Sequence, residues 1–147
     1  MDFVSHSLWG LTVVRKKNLF WLTVFFSVLP DIAYFLYFLD KRFSLGIGVT
    51  EPSLVSFYYF THSFLTAFLI FTILYFFKRN YLTLALPYFF HVLLDIPVHC
   101  GLFSTRFLYP FSDFHFCGFR FEEHMLPILL INYLVLIGIN LLIWRRK

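Results

Sequence analysis

The sequence predicts an all-α, polytopic membrane protein, a helical bundle of about four transmembrane helices preceded by a short N-terminal helix. Hydrophobic residues make up 60% of the 147 residues and charged residues only 14%, whereas a soluble domain is usually closer to half apolar and a quarter charged. The apolar residues come in runs near the roughly 20 residues that a spanning helix needs. Because the chain suffices for one compact unit, residues 1–147 are expected to form a single integral membrane domain.

Five apolar segments divide the chain. The first, at 2–14, holds about 13 residues, which is too short to span, so it is predicted as a half-length or interfacial helix. The other four are near spanning length. They run from Leu19 to Leu39, from Leu54 to Phe77, from Tyr81 to about Val98, and from Met125 to Trp144.

Basic residues set the predicted orientation. Eight of the twelve lysines and arginines fall on one side in this arrangement, in the clusters 15–17, 78–79 and 145–147, and the positive-inside rule places that side in the cytoplasm. The loops 40–53 and 99–124 then face outward and the C-terminus faces inward. The second loop is rich in aromatic residues, which favour the bilayer interface, so it is predicted to lie as a cap on the outer surface. An irregular loop without a role is the alternative.

The charge pattern argues against a nucleic-acid-binding protein. The net charge is +4, but the basic residues lie at the ends of apolar runs and not on a polar face. A signal peptide is not expected, because the cluster 15–17 follows the first apolar stretch. Two cysteines make no disulfide framework. Cys100 could be a soft metal ligand or pair with Cys117, although a cysteine most often behaves as a small buried apolar residue.

Ionisable side chains inside the apolar segments mark a candidate site. They are Asp31, His62, His91 and Asp95. A carboxylate at a helix centre costs roughly 2.5–3.5 kcal/mol on insertion scales, so such residues usually face a cavity and have a function. His6 in the first segment and His99 beyond Pro97 are candidates to join them.

Helix rise places these groups at similar depths. Counting 1.5 Å per residue from the cytoplasmic basic clusters puts His6 at roughly 14 Å and His91 at about 18 Å. The same count puts Asp31 at about 21 Å, and both His62 and Asp95 at about 24 Å. Groups from four segments are therefore predicted to share one layer in the outer half of the membrane.

The spacing of His91 and Asp95 supports a common centre. Residues four apart project from one face of a helix. Pro97 disfavours continuation of that helix, which predicts that His99 lies just past its end, at the mouth of the site. Pro30 similarly predicts a break in the first spanning helix beside Asp31.

Imidazoles and carboxylates that converge without thiolates suit a metal ion. Zinc is favoured, and manganese and iron are alternatives. Five or six ligands exceed the number that one tetrahedral ion uses, so two ions sharing a bridging Asp31 or Asp95 would account for the surplus, an arrangement typical of phosphoester hydrolysis. The predicted metal ligands are His6, Asp31, His62, His91, Asp95 and His99, and Asp31 and Asp95 are also the catalytic candidates.

Plainer interpretations exist for each of these residues. His6 or His62 alone could be an interhelical hydrogen-bonding partner, and Asp31 could cap the helix that resumes after the proline. His91 and Asp95 could form a hydrogen-bonded pair, although burying both without a cation is costly.

Polar residues of the outer loop are predicted mainly as solvated groups. Glu122, Glu123 and His124 belong here, although a glutamate could reach the site as a ligand or base. Arg106 could contact a phosphate, but an interfacial arginine that extends its head group to water is the simpler interpretation.

Four stretches of this sequence resemble a known family. They are "SHSLWG", "LPDIAYF", "FTHSFL" and "HVLLDIPVHCGLFSTRFLYPFSDF". Together they resemble the small bacterial and archaeal membrane-bound metal-dependent hydrolases, which look distantly related to zinc-dependent phospholipases C and zinc-dependent nucleases. The resemblance covers His6 to about Phe114. It implies metal-ligand positions at His6, Asp31, His62, His91 and Asp95, with His99 beside them. The soluble relatives carry further ligands downstream, where this chain offers only Glu122, Glu123 and His124.

The leading hypothesis is a membrane-embedded hydrolase that cleaves a phosphoester, with a lipid head group as a candidate substrate and membrane lipid as its partner. Water activated by one to three divalent metal ions, zinc being favoured, would be the nucleophile. A metal or proton transporter would use the same acid–histidine chain as a relay. A haem protein would use His62 and His91 as axial ligands, which leaves the aspartates without a purpose. Oligomeric state is left open.

Overall fold

The structure, a computed structural model, describes residues 2–44, 46 and 51–145. Within them no strand occurs, which confirms the predicted all-α class. The α-helices are α1 (Phe3–Val13), α2 (Phe20–Val28), α3 (Ile32–Phe43), α4 (Glu51–Thr61), α5 (Phe64–Phe77), α6 (Ala85–Asp95) and α7 (Phe121–Trp144). Residues 45 and 47–50 of the predicted outward loop, and 146–147 of the last basic cluster, lie outside the described residues.

Two helical stretches are long and apolar enough to cross a membrane. One is Lys17–Phe43, 27 residues that contain α2 and α3, and the other is Glu123–Ile143, 21 residues within α7. Helices α4 and α5 qualify as a third candidate only if they are taken as one span, because they are bent by 58°. These lengths and compositions are consistent with membrane association.

Four spanning helices are not confirmed, because the predicted segment from Tyr81 to Val98 does not form one long helix. A 3-10 turn, Arg79–Leu84, is followed by α6, which has 11 residues. A helix of that length is about 16 Å long, roughly half the thickness of the hydrocarbon core. The helix ends at Asp95, before Pro97, as the proline predicts.

The half-length helix α1 packs between α2 and α6 through a glycine. A Cβ atom added at Gly10 would lie 1.9 Å from Ser27 Oγ and 3.2 Å from Pro87 Cβ. Only a residue without a side chain fits there, so Gly10 allows the three helices to approach closely. This contact brings the predicted short first segment against the two helices beside the candidate site.

A polar network holds α1 on α7. Trp9 Nε1 donates to Asn132 Oδ1 at 2.8 Å, and Asn132 Nδ2 donates to Ser5 Oγ at 2.9 Å. Asp2 caps α1 by accepting from Ser5 N at 2.9 Å, and Tyr133 donates its hydroxyl to the same carboxylate at 3.2 Å. Burial raises the pKa of Asp2, but the hydrogen bonds from Ser5 and Tyr133 outweigh it, and the pKa is lowered. The network fixes a helix too short to anchor itself in a membrane.

Two helix breaks are joined to one another. Pro30 lies in the 3-10 turn between α2 and α3, as predicted, and its carbonyl oxygen accepts from Thr61 Oγ1 at 2.9 Å. The carbonyl oxygen of Thr61, at the end of α4, accepts from Tyr88 OH at 2.6 Å. Backbone groups freed inside apolar surroundings need such partners. The bonds therefore place the residues after Pro30 beside those after Thr61.

The loop 99–124, which the sequence predicts on the outer surface, belongs to a stretch that is irregular over residues 96–120 apart from a 3-10 turn at Gly101–Phe103. A disulfide joins Cys100 to Cys117, so Cys100 is not a metal ligand. Backbone hydrogen bonds from Phe119 N to Pro97 O and from Phe121 N to Val98 O, at 2.7 and 3.0 Å, tie the loop's end to its beginning. Helix α7 consequently starts four residues before the predicted Met125 boundary.

Candidate metal centre

Four of the predicted ligands converge from two helix junctions and one helix face. Asp31 ends the 3-10 turn before α3, His62 lies between α4 and α5, and His91 and Asp95 lie on α6. One ligand atom from each residue lies within 4.8 Å of every other. The side chains of His62, His91 and Asp95 are buried, and that of Asp31 is 14% exposed.

The separations match the edges of a tetrahedral metal site. Nε2 of His62 lies 3.1 Å from Nε2 of His91 and 3.3 Å from Asp31 Oδ1, and His91 Nε2 lies 3.2 Å from Asp95 Oδ2. Two further distances, from His62 Nε2 to Asp95 Oδ2 and from His91 Nε2 to Asp31 Oδ2, are both 3.6 Å. Donor atoms bound at zinc-like distances to a tetrahedral ion lie about 3.3–3.4 Å apart. His62 faces Oδ1 and His91 faces Oδ2 of Asp31, and the four residues are close enough together to hold a metal ion.

Backbone carbonyl groups fix which nitrogen of each imidazole faces this centre. His91 Nδ1 lies 2.6 Å from Ser27 O, and His62 Nδ1 lies 3.1 Å from Tyr58 O. A carbonyl oxygen only accepts, so Nδ1 carries the proton and donates it in both residues. The Nε2 atoms are left to face one another, which is the tautomer arrangement typical of metal-binding histidines.

The charges of the cluster favour a cation in the same place. If both imidazoles are neutral and carry their proton on Nδ1, their Nε2 lone pairs lie 3.1 Å apart and repel one another, and two ionised carboxylates add two negative charges. Burying such a set is costly unless a positive charge compensates it. A divalent cation would accept all four lone pairs and neutralise both carboxylates.

The remaining two predicted ligands lie on the other side of Asp95. His6 Nε2 is 3.2 Å and His99 Nε2 is 3.5 Å from Asp95 Oδ1. The ring of His6 stacks on that of His91 with centroids 3.6 Å apart. His6 is only 2% exposed, and neither of its ring nitrogens makes a hydrogen bond. All six predicted ligands are thus brought together, and an imidazole buried without hydrogen bonds is one more donor for a cation.

The charged residues of the loop 99–124 lie away from the centre. Glu123 is exposed and pairs with Arg120 at 2.7 Å, and His124 is exposed, as expected for solvated groups. The side chain of Glu122 is outside the described part of the chain. Arg106 is bonded to Asp113 and lies over the Tyr59 ring, 3.9 Å from its centroid.

A chamber of about 410 Å³ opens onto the cluster. Its polar lining includes Asp2, Asp31 and His99, and aromatic walls come from Tyr34, Phe103 and others. Asp31 and His99 are the partly exposed members of the six-residue set, with 14% and 16% of their side chains accessible. A small molecule in the chamber would therefore contact the cluster through these two residues. Arg106 does not line this chamber, which removes the basis for a phosphate contact there.

Several supporting residues were not identified from the sequence. The carbonyl groups of Ser27 and Tyr58 carry no sequence signal, because every residue has one. Asn132 did carry a signal, since a carboxamide inside an apolar run is as unusual as the aspartates. Ser63, which follows His62, is a sequence signal for the helix break, because serine is favoured at a helix N-cap. It caps α5 by accepting from Thr66 N.

No family model, curated protein or solved structure matches this chain. The resemblance to membrane-bound metal-dependent hydrolases stays an expectation from the four sequence stretches. The geometry of the cluster and its chamber is therefore the evidence for function.

Proposed function

We propose that the protein is a membrane-embedded, metal-dependent hydrolase of phosphoesters. The observation that carries the proposal is the arrangement of Asp31, His62, His91 and Asp95, whose ligand atoms lie within 4.8 Å of one another, with the two histidines 3.1 Å apart and each 3.2–3.6 Å from the carboxylates. Nitrogen and carboxylate donors without thiolate make zinc the favoured ion. A divalent cation held there supplies a Lewis acid and lowers the pKa of a water molecule toward neutrality.

Asp31 is the residue we assign to the attacking water. It is the exposed carboxylate of the four-residue cluster and lines the chamber. A carboxylate has about four lone-pair sites, so Asp31 can bind a cation and still accept a proton from water. The water oxygen forms a bond to phosphorus while the bond from phosphorus to the leaving oxygen breaks. Asp31 then gives the proton that it accepted from water to the leaving oxygen, which balances the reaction.

Asp95 is assigned a bridging role. Its Oδ2 faces His62 and His91, and its Oδ1 faces His6 and His99. A second cation would be held by Asp95 Oδ1 with His6 and His99, the two predicted ligands that do not belong to the four-residue cluster. Paired ions of this kind suit a bridging phosphate. The proposed complement is therefore two ions that share Asp95.

The proposed topology has four membrane-crossing segments, with the C-terminus in the cytoplasm and the loop 99–124 outside. The positive-inside count supports this orientation. The Cys100–Cys117 disulfide supports it independently, because disulfides persist in oxidising compartments outside the cytoplasm. The chamber would then open on the outer side, within reach of lipid head groups.

The geometry of the cluster is less favourable to a haem protein or a transporter. Two axial histidines of a haem place their ligating nitrogens about 4 Å apart across the macrocycle, whereas 3.1 Å separates those of His62 and His91. A transporter needs access from both sides of the membrane. Asp31 and His99, the exposed members of the set, open on the same chamber, which favours a site that works from one side.

Hydrolysis of mixed phospholipids and of soluble phosphoesters by the purified protein tests the proposal. Activity is expected with added zinc or manganese and is expected to vanish with a chelator. Ion flux into sealed vesicles, measured with the same preparation, distinguishes the transporter. Metal-dependent flux without hydrolysis of any phosphoester would replace the proposed function by transport.

A further inference from the structure

An apolar groove runs beside the chamber, between α1, α2 and α3. The cavity is about 370 Å³, and its lining includes Phe3 of α1, Val24 and Val28 of α2, and Ile32 and Phe35 of α3. Ser7 is the polar residue of the lining, and its hydroxyl already donates to Phe3 O at 2.8 Å. The groove therefore has the character of a site for a hydrocarbon chain.

The groove and the chamber share a wall. Phe3 lines both cavities. Asp31 lines the chamber and the next residue, Ile32, lines the groove. The rings of Phe3 and Phe35, which both line the groove, meet edge to face with centroids 6.0 Å apart. A molecule that reaches Asp31 from the chamber is thus adjacent to the groove.

The direction of the groove suits a lipid of the outer leaflet. In the proposed topology α2 rises from the cytoplasmic cluster 15–17 toward Asp31. Val24 lies seven residues before Asp31, hence about 10 Å deeper in the membrane. A hydrocarbon chain that lies along Val28 and Val24 would point from Asp31 toward the bilayer centre, as the tail of an outer-leaflet lipid does.

We infer that the substrate is a long-chain phosphoester lipid, with its phosphoester in the chamber at Asp31 and His99 and one hydrocarbon chain in the groove. The inference rests on the proposed hydrolase function. Lipid tails are as apolar as the groove, so moving a chain into it from the bilayer contributes little affinity. The groove instead orients the phosphoester toward Asp31, an effect that appears in the rate of the bound substrate.

A matched pair of groove-filling variants tests this inference. Val28→Trp fills the groove beside the chamber. Leu86→Trp fills a comparable apolar groove of about 500 Å³ between α5 and α6, whose lining shares no residue with the chamber. Release of nitrophenolate from dodecyl nitrophenyl phosphate is compared with release from the soluble methyl ester. Val28→Trp is expected to lower kcat/KM for the dodecyl ester at least about tenfold more than kcat/KM for the methyl ester, whereas Leu86→Trp is expected to leave the ratio of the two esters unchanged.

Three outcomes would overturn the inference. They are an unchanged ratio of the two esters in Val28→Trp, the same loss in Leu86→Trp, and equal rates of the wild-type protein on both esters. In each of these cases hydrolysis itself persists, so the hydrolase proposal survives while the lipid inference fails. Metal content and elution as a single species confirm that both variants are folded.

Photo-crosslinking gives a readout that does not depend on activity. A dodecyl phosphate with a diazirine at the chain end is expected to label peptides of α2 and α3 between Val24 and Phe35, and to lose that labelling in Val28→Trp. Labelling of the exposed α7 surface around Leu134 with equal yield would contradict a chain site. Groove labelling without hydrolysis of either ester would retain lipid binding and reject the proposed chemistry.

Discussion

Nε2 of His62 faces Nε2 of His91 across 3.1 Å, while Nδ1 of each residue lies within 3.1 Å of a backbone carbonyl oxygen. The first residue comes from the break between α4 and α5, and the second from the middle of α6. Two nitrogens at this distance share either a proton or a bound cation, and only a cation would also bind Asp31 and Asp95. The closest test is therefore the metal content of the protein.

Replacement of a ligand should remove metal. His91→Ala and Asp95→Ala each delete a metal ligand that no other described side chain of the cluster replaces. After the purified variants are stripped with a chelator and reloaded with zinc, both should retain little zinc. Elemental analysis measures this. His124→Ala is the control, because His124 is exposed on the first turn of α7. Full metal content in both ligand variants would favour a hydrogen-bonded histidine–aspartate pair.

Loss of the Asp31 charge should abolish turnover. Asp31→Asn preserves the shape of the side chain but removes the base, and electrostatic groups of this kind contribute about 10²–10³ to kcat. Phosphate or head-group release from lipids gives the measurement. Asp113→Asn, which removes an exposed carboxylate of the loop 99–124, should retain activity. Equal loss in both variants would show that charge in general, and not Asp31, supports the reaction.

Close packing at Gly10 should be necessary for the site. Gly10→Ala places a methyl group against Ser27 Oγ, so either that hydroxyl gives up its bond to Thr23 O or α1 moves away from α2 and takes His6 with it. We expect a loss of about 1–3 kcal/mol in stability and weaker metal binding, measured by thermal unfolding with and without zinc. Ser27→Ala in the same chain removes the clashing oxygen and should restore part of both.

Gly138→Ala on α7 is the matched control for this prediction, because a Cβ there meets nothing within 4 Å in the described structure. It should leave both stability and zinc binding unchanged. Gly10→Ala with wild-type zinc binding would show that α1 can shift without disturbing His6, and that the tight contact serves only stability.

The topology prediction is tested by reporter fusions. Fusions after Lys78-Arg79 and at the C-terminus should read cytoplasmic, and fusions near Ser112 should read external. After reduction, Cys100 and Cys117 should react with a membrane-impermeant maleimide added from outside. An external C-terminus would place the chamber on the cytoplasmic side and remove the outer-leaflet lipid as substrate.

The sequence by itself determined which residues build the site. Ionisable side chains inside apolar runs are costly, so His62, His91 and Asp95 were conspicuous without any structure. Local rules were sufficient for two helix ends as well. Pro30 and Pro97 each break or end a helix where the proline ring predicts it. Helical spacing placed His91 and Asp95 on one face, because that relationship depends only on residues one turn apart.

Tertiary structure decided how these residues meet. Hydropathy does not distinguish a spanning helix from the short α6 and its 3-10 turn, since both are apolar. The bend at His62 depends on Thr61 bonding to Pro30 O, a contact between residues 31 apart in the chain. The position of His6 depends on Gly10 and Asn132, and the tautomers depend on carbonyl groups that no side-chain pattern records. Long-range packing sets these features because each one requires a partner that only the folded chain brings into contact.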